Sequence, residues 1–364
     1  MKRIAIILLI IYFSTTNVSH SAEHHSGIFY TITDSQTKEV LFHTGIKVEV
    51  GDEWLTEENK LFRVHSVDEF TAYATYLRDE TLSMRSEDQV AAVANGPAAG
   101  GIIAIYHSHT DESYTPTDGK PSIRGKGSIM KVGATFKDAL SSLGYNIEHD
   151  TTLHDPHDAN SYVRSRRTIS RLLGKQPIAL FDVHRDSAPV TEYKLSSAGE
   201  QVARIVLVVG RANPYLPTTT EFAKQLKAAS DAKHPKLIRG VFLANGGYNQ
   251  DIHPRAILVE VGTEGSTLQE AQRGMAQFAD AIPAVLGSTQ NAPPAAAPTN
   301  VDSSPTPNNG TLRNILWLVG ITVFGGLAYL YVSSGSWSAA RSKLAQLRDI
   351  EFANLLGIKS RKKK

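Results

Sequence analysis

Apolar and polar positions alternate in two different ways along the chain, and the pattern changes near residue 100. Between residues 27 and 76, short apolar alternations separated by turn residues predict a small β-rich domain over residues 23–82. Its strands are predicted over residues 29–33, 40–42, 46–50, 61–67 and 71–76. A polar and then alanine- and glycine-rich link follows over residues 83–100.

After Gly101, apolar runs of strand length alternate with helical stripes. The runs cover residues 102–106, 178–183, 205–209, 240–243 and 257–261, and the stripes cover residues 129–143 and 162–173. A further helix is predicted to begin at Thr267, because Thr267 and Glu270 have the spacing of a capping box. This alternation predicts an α/β domain over residues 101–289, with a mostly parallel sheet flanked by helices. Functional side chains are then expected just beyond the carboxyl ends of the strands.

The two ends of the chain have the patterns of targeting and membrane segments. Residues 1–22, with two basic residues before an apolar run, have the layout of a secretory signal peptide or an anchor. A linker rich in Pro and Ala over residues 290–312 leads to an uncharged apolar stretch, which predicts a transmembrane helix over residues 313–333. The basic tail over residues 334–364 is expected in the cytoplasm, which places the globular part outside the cell membrane.

The amino-acid composition limits the chemistry that the chain can perform. The 364 residues include no cysteine, so disulfide bonds, thiolate zinc sites and a cysteine nucleophile are excluded. Any metal must therefore be held by histidine and carboxylate. The last 24 residues carry eight Lys or Arg and two acidic residues, so the rest of the chain has a net charge of −4. This charge excludes nucleic-acid binding by the globular part.

Polar clusters follow three of the predicted strands. The first is residues 107–113, the second residues 184–186 and the third residues 260–264. His109, His184 and Glu260 therefore lie at the ends of three different strands. Two imidazoles can bind or flank one Zn²⁺ that keeps an open position for water, and a carboxylate can take the proton of that water.

Three motifs in the same order closely resemble the stage II sporulation protein P family. They are I-Y-H-S-H-T-D-E-S-Y (105–114), F-D-V-H-R-D-S (181–187) and Y-N-Q-D-I-H-P-R-A-I-L-V-E-V-G (248–262). That family consists of membrane-anchored peptidoglycan hydrolases of endospore-forming bacteria, and it is similar to zinc-dependent N-acetylmuramoyl-L-alanine amidases. The resemblance covers residues 101–286. The family's usual anchor is N-terminal, whereas this chain has a strong C-terminal span.

The resemblance implies roles for the strand-end residues. In the zinc amidases, a first-strand His, a following Glu and a mid-domain His bind zinc, and a late-strand Glu acts as the base. By this resemblance His109 and His184 bind zinc, and Glu260 is the catalytic base. The intermediate Glu has no clear counterpart here. Either Glu112 or Asp111 substitutes for it, or the site binds zinc with fewer protein ligands.

Other polar residues near the motifs have several interpretations. His107 points away from His109 on an extended segment, so it is a second ligand, a hydrogen-bonding group for the transition state or a core residue. Arg185 and Asp186 either pair with each other or hold a substrate carboxylate. The remaining candidates are Asn249 and Arg255, as cleft or turn residues, and His154 and His157, as loop histidines.

The expected reaction is hydrolysis of the amide between the muramic acid lactyl group and L-alanine. The resemblance adds a possible second activity on peptide cross-links, and partners among the membrane-bound proteins of septal remodelling and engulfment. Two alternatives stay open. A zinc peptidase of the carboxypeptidase type has a His-x-x-Glu pair, as at His109 and Glu112, and a non-catalytic wall-binding scaffold has lost its metal site.

The predicted topology can be tested on intact protoplasts. Because the globular part is expected outside and the basic tail inside, added protease should remove the globular part and leave a small C-terminal fragment. Immunoblotting with antibodies against each region measures both products. Full protection of the globular part would contradict this topology.

Overall fold

The computed structural model describes residues 27–83, 101–158, 160–197 and 199–287. The predicted signal segment, linker, transmembrane helix and basic tail, and nearly all of the predicted link, lie outside these residues. Within the described ranges, no helix combines the length and apolar character needed to cross a membrane.

The described strands form one large sheet and one small pair. In chain order they are β1 (Tyr30–Asp34), β2 (Val40–Thr44), β3 (Glu53–Leu55), β4 (Lys60–Asp68), β5 (Thr71–Asp79), β6 (Ile102–Tyr106), β7 (Asn146–His149), β8 (Ala179–Asp186), β9 (Lys194–Ser197), β10 (Glu200–Ala203), β11 (Ile205–Gly210), β12 (Ile238–Ala244) and β13 (Ala256–Thr263). The large sheet has the order β2-β1-β5-β4-β3-β12-β11-β13-β8-β6-β7, and β9 pairs with β10. The fold is therefore mixed α/β, as the sequence predicted.

Helices cover both faces of the sheet. In chain order they are α1 (Thr115–Asp118), α2 (Ile129–Ser142), α3 (Ser161–Leu173), α4 (Leu216–Lys233), α5 (Leu268–Ala279) and α6 (Ile282–Leu286). The predicted capping box is present at the start of α5. The Thr267 side chain accepts from the Glu270 backbone at 3.2 Å, and the Glu270 carboxylate accepts from the Thr267 backbone at 2.7 Å.

The half of the sheet built after residue 101 is mostly parallel. Strands β7, β6, β8 and β13 run parallel to one another, and β11 runs parallel to β12. The pairing of β11 with β13 is antiparallel. Since β6, β8 and β13 are parallel neighbours, their carboxyl ends meet at one edge of the sheet, where the predicted site residues are found.

Side chains of β8 alternate between two different cores. Phe181 points to the face covered by α2 and α5, where its ring lies 5.2 Å from Phe136 and 6.3 Å from Phe278. Leu180, one position earlier, packs on the other face with Ile169 of α3. Because side chains alternate with a period of two, this second face also receives the functional residues further along β8.

The N-terminal strands extend the same sheet, because β3 pairs antiparallel with β12. Trp54 of β3 stacks on Phe42 with ring centroids 3.9 Å apart, and both rings are fully buried. Gly240 of β12 makes this packing possible, since a Cβ there would lie 2.3 Å from the Trp54 ring.

Several elements differ from the sequence prediction, and two of the differences have a clear physical reason. Residues 46–50 form no strand, although Ile46 and Val48 are buried on one side. Their alternation reflects one-sided burial of an extended segment rather than pairing in a ladder. Helix α4 was not predicted, because its buried positions Phe222 and Leu226 are separated by Ala, Lys and Gln, which gives weak apolar contrast.

We expect Gly240→Ala to destabilise the protein by about 1–3 kcal/mol, because the added methyl group must displace the Trp54 ring or the β3 backbone. Urea denaturation measures the loss. Gly247→Ala is the matched control, since a Cβ at Gly247 meets no atom within 4 Å. Equal stability of the two variants would contradict tight packing at this joint.

Candidate metal and catalytic site

The carboxyl ends of β6, β8 and β13 bring together the three strand-end residues that the sequence singled out. His184 lies in β8 and is paired in register with Glu260 of β13. His109 follows β6 by three residues, and its ring centroid lies 4.8 Å from that of His184. His109, His184 and Glu260 are all buried.

Glu112 joins the two histidines through one oxygen. Its Oε1 atom lies 3.3 Å from His109 Nδ1 and 3.3 Å from His184 Nδ1. Two atoms that bind one tetrahedral zinc at about 2.0–2.1 Å lie about 3.3 Å from each other. Each of these two separations therefore fits a pair of ligands on one metal. Glu112, which the sequence analysis named only as an expected substitute for the missing zinc ligand, therefore lies within reach of both histidines.

The charges in this cluster hold one another in place. Burial opposes ionisation of Glu112, but His184 and His109 outweigh it and lower the pKa of this carboxyl below its ordinary value. Burial also opposes a charged His184, yet Asp182 and Glu112 hold the pKa of this imidazole well above its ordinary value. The metal-free protein thus carries a proton on His184 that a bound metal must displace.

Asp182 and Ser108 orient the ring of His184. The Nε2 atom of His184 lies 3.0 Å from Asp182 Oδ1 and 2.9 Å from Ser108 Oγ. Ser108 also donates its hydroxyl to Asp182 Oδ2 at 2.6 Å and its backbone N–H to Asp182 Oδ1 at 2.8 Å. A carboxylate on the outer ring nitrogen fixes the tautomer of a metal-binding His, which leaves Nδ1 for the metal. The sequence analysis missed Asp182, although its i, i+2 spacing from His184 in a strand places both on one face.

His157 is a second residue that the sequence analysis did not connect with the site. It lies in a loop, as predicted, but its ring stacks on His109 with centroids 3.8 Å apart. His109, Glu112 and His157 each offer one possible ligand atom, and these atoms lie within 4.8 Å of one another. The loop has no periodic pattern that connects it to the strand ends, so only the folded chain reveals this contact.

His107 occupies the opposite face of the sheet and is a core residue. Its Nδ1–H donates to the Val183 carbonyl at 2.8 Å, and its Nε2 lies 2.9 Å from Nε2 of His149. Burial and the neighbouring His149 lower the pKa of His107 to about 3, so the ring is neutral. Of its three interpretations, the core role fits the structure.

His154 also has a structural position. Its Nδ1 lies 2.6 Å from the His107 carbonyl oxygen, and its Nε2 lies 2.9 Å from the Thr168 hydroxyl. Both ring nitrogens are therefore used in holding the loop against α3.

Arg185 and Asp186 support the site from its other side. The backbone N–H of Arg185 donates to Glu112 Oε2 at 2.9 Å, and its guanidinium donates to the Pro121 carbonyl at 2.9 Å. Asp186 accepts from the Gly45 backbone at 2.7 Å and from the Tyr193 hydroxyl at 2.8 Å. The two residues therefore fix Glu112 and the N-terminal segment, and the expected pairing of Arg185 with Asp186 is replaced by these contacts.

Asn249 and Arg255 lie away from the ligand cluster. The Asn249 amide donates to the Tyr162 carbonyl and the Ser165 hydroxyl, both at 2.9 Å, and so attaches its turn to α3. Arg255 precedes the first residue of β13. At about 3.3 Å per residue this places its backbone roughly 16 Å of strand before Glu260, and its role as a cleft or turn residue stays a prediction.

Two of the solved structures to which this chain is similar are amidases. The N-acetylmuramyl-L-alanine amidase Ami1 from Mycobacterium smegmatis is 15% identical with a TM-score of 0.36, and the match covers 53% of this chain and 99% of that one. The CwlD amidase from Clostridioides difficile, solved in complex with the GerS lipoprotein, is 11% identical with a TM-score of 0.33, covering 51% and 95%.

Sequence relatives give a more specific result. The chain is 31% identical over 198 residues to stage II sporulation protein P of Bacillus subtilis (strain 168). The match covers 49% of each protein, so the chain spans about half the length of this curated relative. The family model of Stage II sporulation protein P (SpoIIP) matches residues 30–283, which include all three motifs and every ligand described above. The chain therefore belongs to the stage II sporulation protein P family.

Proposed function

We propose that this protein is a zinc-dependent peptidoglycan hydrolase, which cleaves the amide between the muramic acid lactyl group and L-alanine during sporulation. One observation carries the proposal: Glu112 Oε1 lies 3.3 Å from the Nδ1 atoms of both His109 and His184, beside the strand that carries Glu260. Membership in the stage II sporulation protein P family supports peptidoglycan as the substrate.

The donor set fits zinc. His109, Glu112 and His184 supply two nitrogens and one oxygen, the set found in catalytic sites of the two-histidine, one-glutamate type. Bound zinc polarises the scissile carbonyl and lowers the pKa of a water molecule at the open position. Asp182 keeps His184 in the required tautomer, and the Arg185 backbone holds the second oxygen of Glu112.

Glu260 is assigned the role of general base. Its Cα is paired with that of His184 across two parallel strands, whose axes lie about 4.8 Å apart. Both side chains therefore rise from the same face of the sheet. Glu260 accepts the proton of the attacking water and returns it to the leaving amine, which is the usual two-step use of a single carboxylate.

Peptide cross-links are the second candidate substrate. The close approach of His109 and Glu112 reproduces the His-x-x-Glu pair of carboxypeptidase-type zinc enzymes, which favours this alternative. The position of Glu112 weakens the scaffold hypothesis, because that hypothesis depended on the missing third ligand. Product analysis separates the two enzymes: an amidase releases whole stem peptides, and a peptidase shortens or uncouples them.

The proposed location follows from the substrate. Peptidoglycan lies outside the cell membrane, so the catalytic part acts there and the basic tail stays in the cytoplasm. Other membrane-bound proteins of sporulation and engulfment are its proposed partners.

We expect Glu260→Gln to lose activity by about 10²- to 10⁴-fold while it keeps its zinc, because the amide cannot accept a proton at neutral pH. His109→Ala should lose zinc and activity together. Muropeptide release from purified sacculi, identified by mass spectrometry, and zinc content by elemental analysis are measured on the same preparations.

Each alternative role for Glu260 gives a different result. If Glu260 were a structural carboxylate, the Gln variant would keep most of its activity. If it were a metal ligand, zinc content would fall with the rate. Either result would contradict its assignment as the base.

We expect Asp182→Asn to weaken zinc binding by about 10- to 100-fold, because the amide no longer fixes the tautomer of His184. Competition with a chromophoric chelator measures the affinity. Asp251→Asn is the matched control, since Asp251 pairs with Arg166 in an exposed ion pair. A folded Asp182→Asn protein with unchanged zinc affinity would show that Asp182 does not orient His184.

A further inference from the structure

His157 stands beside the ligand set that the proposed function uses, on a different kind of support. The other ligands follow or belong to strands β6 and β8, whereas described residues 150–158 form neither helix nor strand. The His157 ring nevertheless stacks on His109 at 3.8 Å between centroids. One possible ligand atom of His157 lies within 4.8 Å of those of His109 and Glu112.

A carboxylate orients His157 in the way that Asp182 orients His184. Asp111 Oδ1 lies 3.3 Å from His157 Nδ1, and Asp111 is itself held by a hydrogen bond from the Ser122 hydroxyl. With Nδ1 facing Asp111, Nε2 is the ring nitrogen that would bind a metal. Metal-binding histidines almost always have such a partner on their second nitrogen. The pair therefore has the arrangement of a ligand and its support.

His157 also differs from the other ligands in its exposure. Its side chain is 23% exposed, whereas those of His109, Glu112 and His184 are 2%, 0% and 0% exposed. The loop is attached to α3 through Arg164, which donates to the His154 carbonyl at 2.7 Å and to Asp158 Oδ1 at 2.7 Å. Since these bonds and those of His154 hold the loop on α3, His157 can leave the cluster by rotation of its own part-exposed side chain, without any change in the sheet.

We propose that His157 is a fourth, displaceable protein ligand that closes the metal centre when no substrate is bound. The inference rests on the proposed function, since it requires a metal at His109, Glu112 and His184. Catalytic zinc sites keep one position free of protein ligands, and structural sites fill it. With His157 bound, the resting site is closed like a structural zinc site. An entering substrate displaces His157 and opens the position that catalysis uses.

Two measurable properties follow from a displaceable ligand. His157 adds a donor to the metal, so its removal weakens metal binding. It also competes with any external ligand for the same position, so its removal makes that position easier to occupy. Removal of a residue that merely packs on His109 would not weaken metal binding and at the same time strengthen the binding of an external ligand.

The test uses the full chain, with zinc and with cobalt in its place. Zinc affinity is measured by chelator competition, and azide binding to the cobalt protein is measured by visible absorption. We expect His157→Ala to bind zinc about 10- to 100-fold more weakly and to bind azide more tightly than the unchanged protein. Asp111→Asn should shift both properties in the same directions by smaller amounts.

His65→Ala is the matched control, because His65 is an exposed histidine of β4, and it should leave both properties unchanged. Near-ultraviolet circular dichroism confirms that each variant is folded. Unchanged zinc and azide affinities in folded His157→Ala would overturn the inference and leave the proposed function intact. Failure of the unchanged protein to bind zinc at all would overturn the proposed function itself.

Discussion

Glu112 carries a carboxylate into a position without solvent contact, where an unpaired charge costs on the order of several kcal/mol. Three groups contact this carboxylate and compensate its charge: the imidazoles of His109 and His184 and the backbone N–H of Arg185. Because the metal-free cluster holds a proton on His184, a bound cation replaces that proton and keeps the carboxylate neutralised. The arrangement that compensates Glu112 in the described structure would therefore also favour a bound cation at the proposed site.

The sequence predicted the parts of the site that depend on strand alternation. Apolar runs lead directly to His109, His184 and Glu260. Parallel strands bring their carboxyl ends to one edge of the sheet, and this does not depend on the conformation of the loops. His107 was predicted to point away from His109 for the same reason. Glu112 remained one of two substitutes, because its place depends on how the chain turns after β6. His157 was missed because a contact between an irregular loop and a strand end leaves no periodic signal.

Similar reasoning explains which parts of the fold were predicted. Strands β6, β8, β11, β12 and β13 and helix α5 have strong apolar runs or a capping box, and they appear where expected, whereas the short strands β7, β9 and β10 were not predicted. Helix α4 has weak apolar contrast, and β3 is too short to show a pattern. The joining of β3 to β12 also depends on a bare backbone at Gly240, which makes space for Trp54. Such steric matches between distant segments are invisible in a local pattern.

The continuous sheet also determines when the site can assemble. Strand β3 pairs with β12, and β13 lies between β11 and β8, so β3 and β8 each gain their second neighbour only from the last part of the described chain. Contacts between segments so far apart in sequence form slowly, because a long stretch of chain must be ordered first. A chain interrupted before β13 would expose the edges of β8 and β11 and would lack Glu260. Since β6 and β8 pair with each other, the proposed base Glu260 is the last of the site residues to be placed.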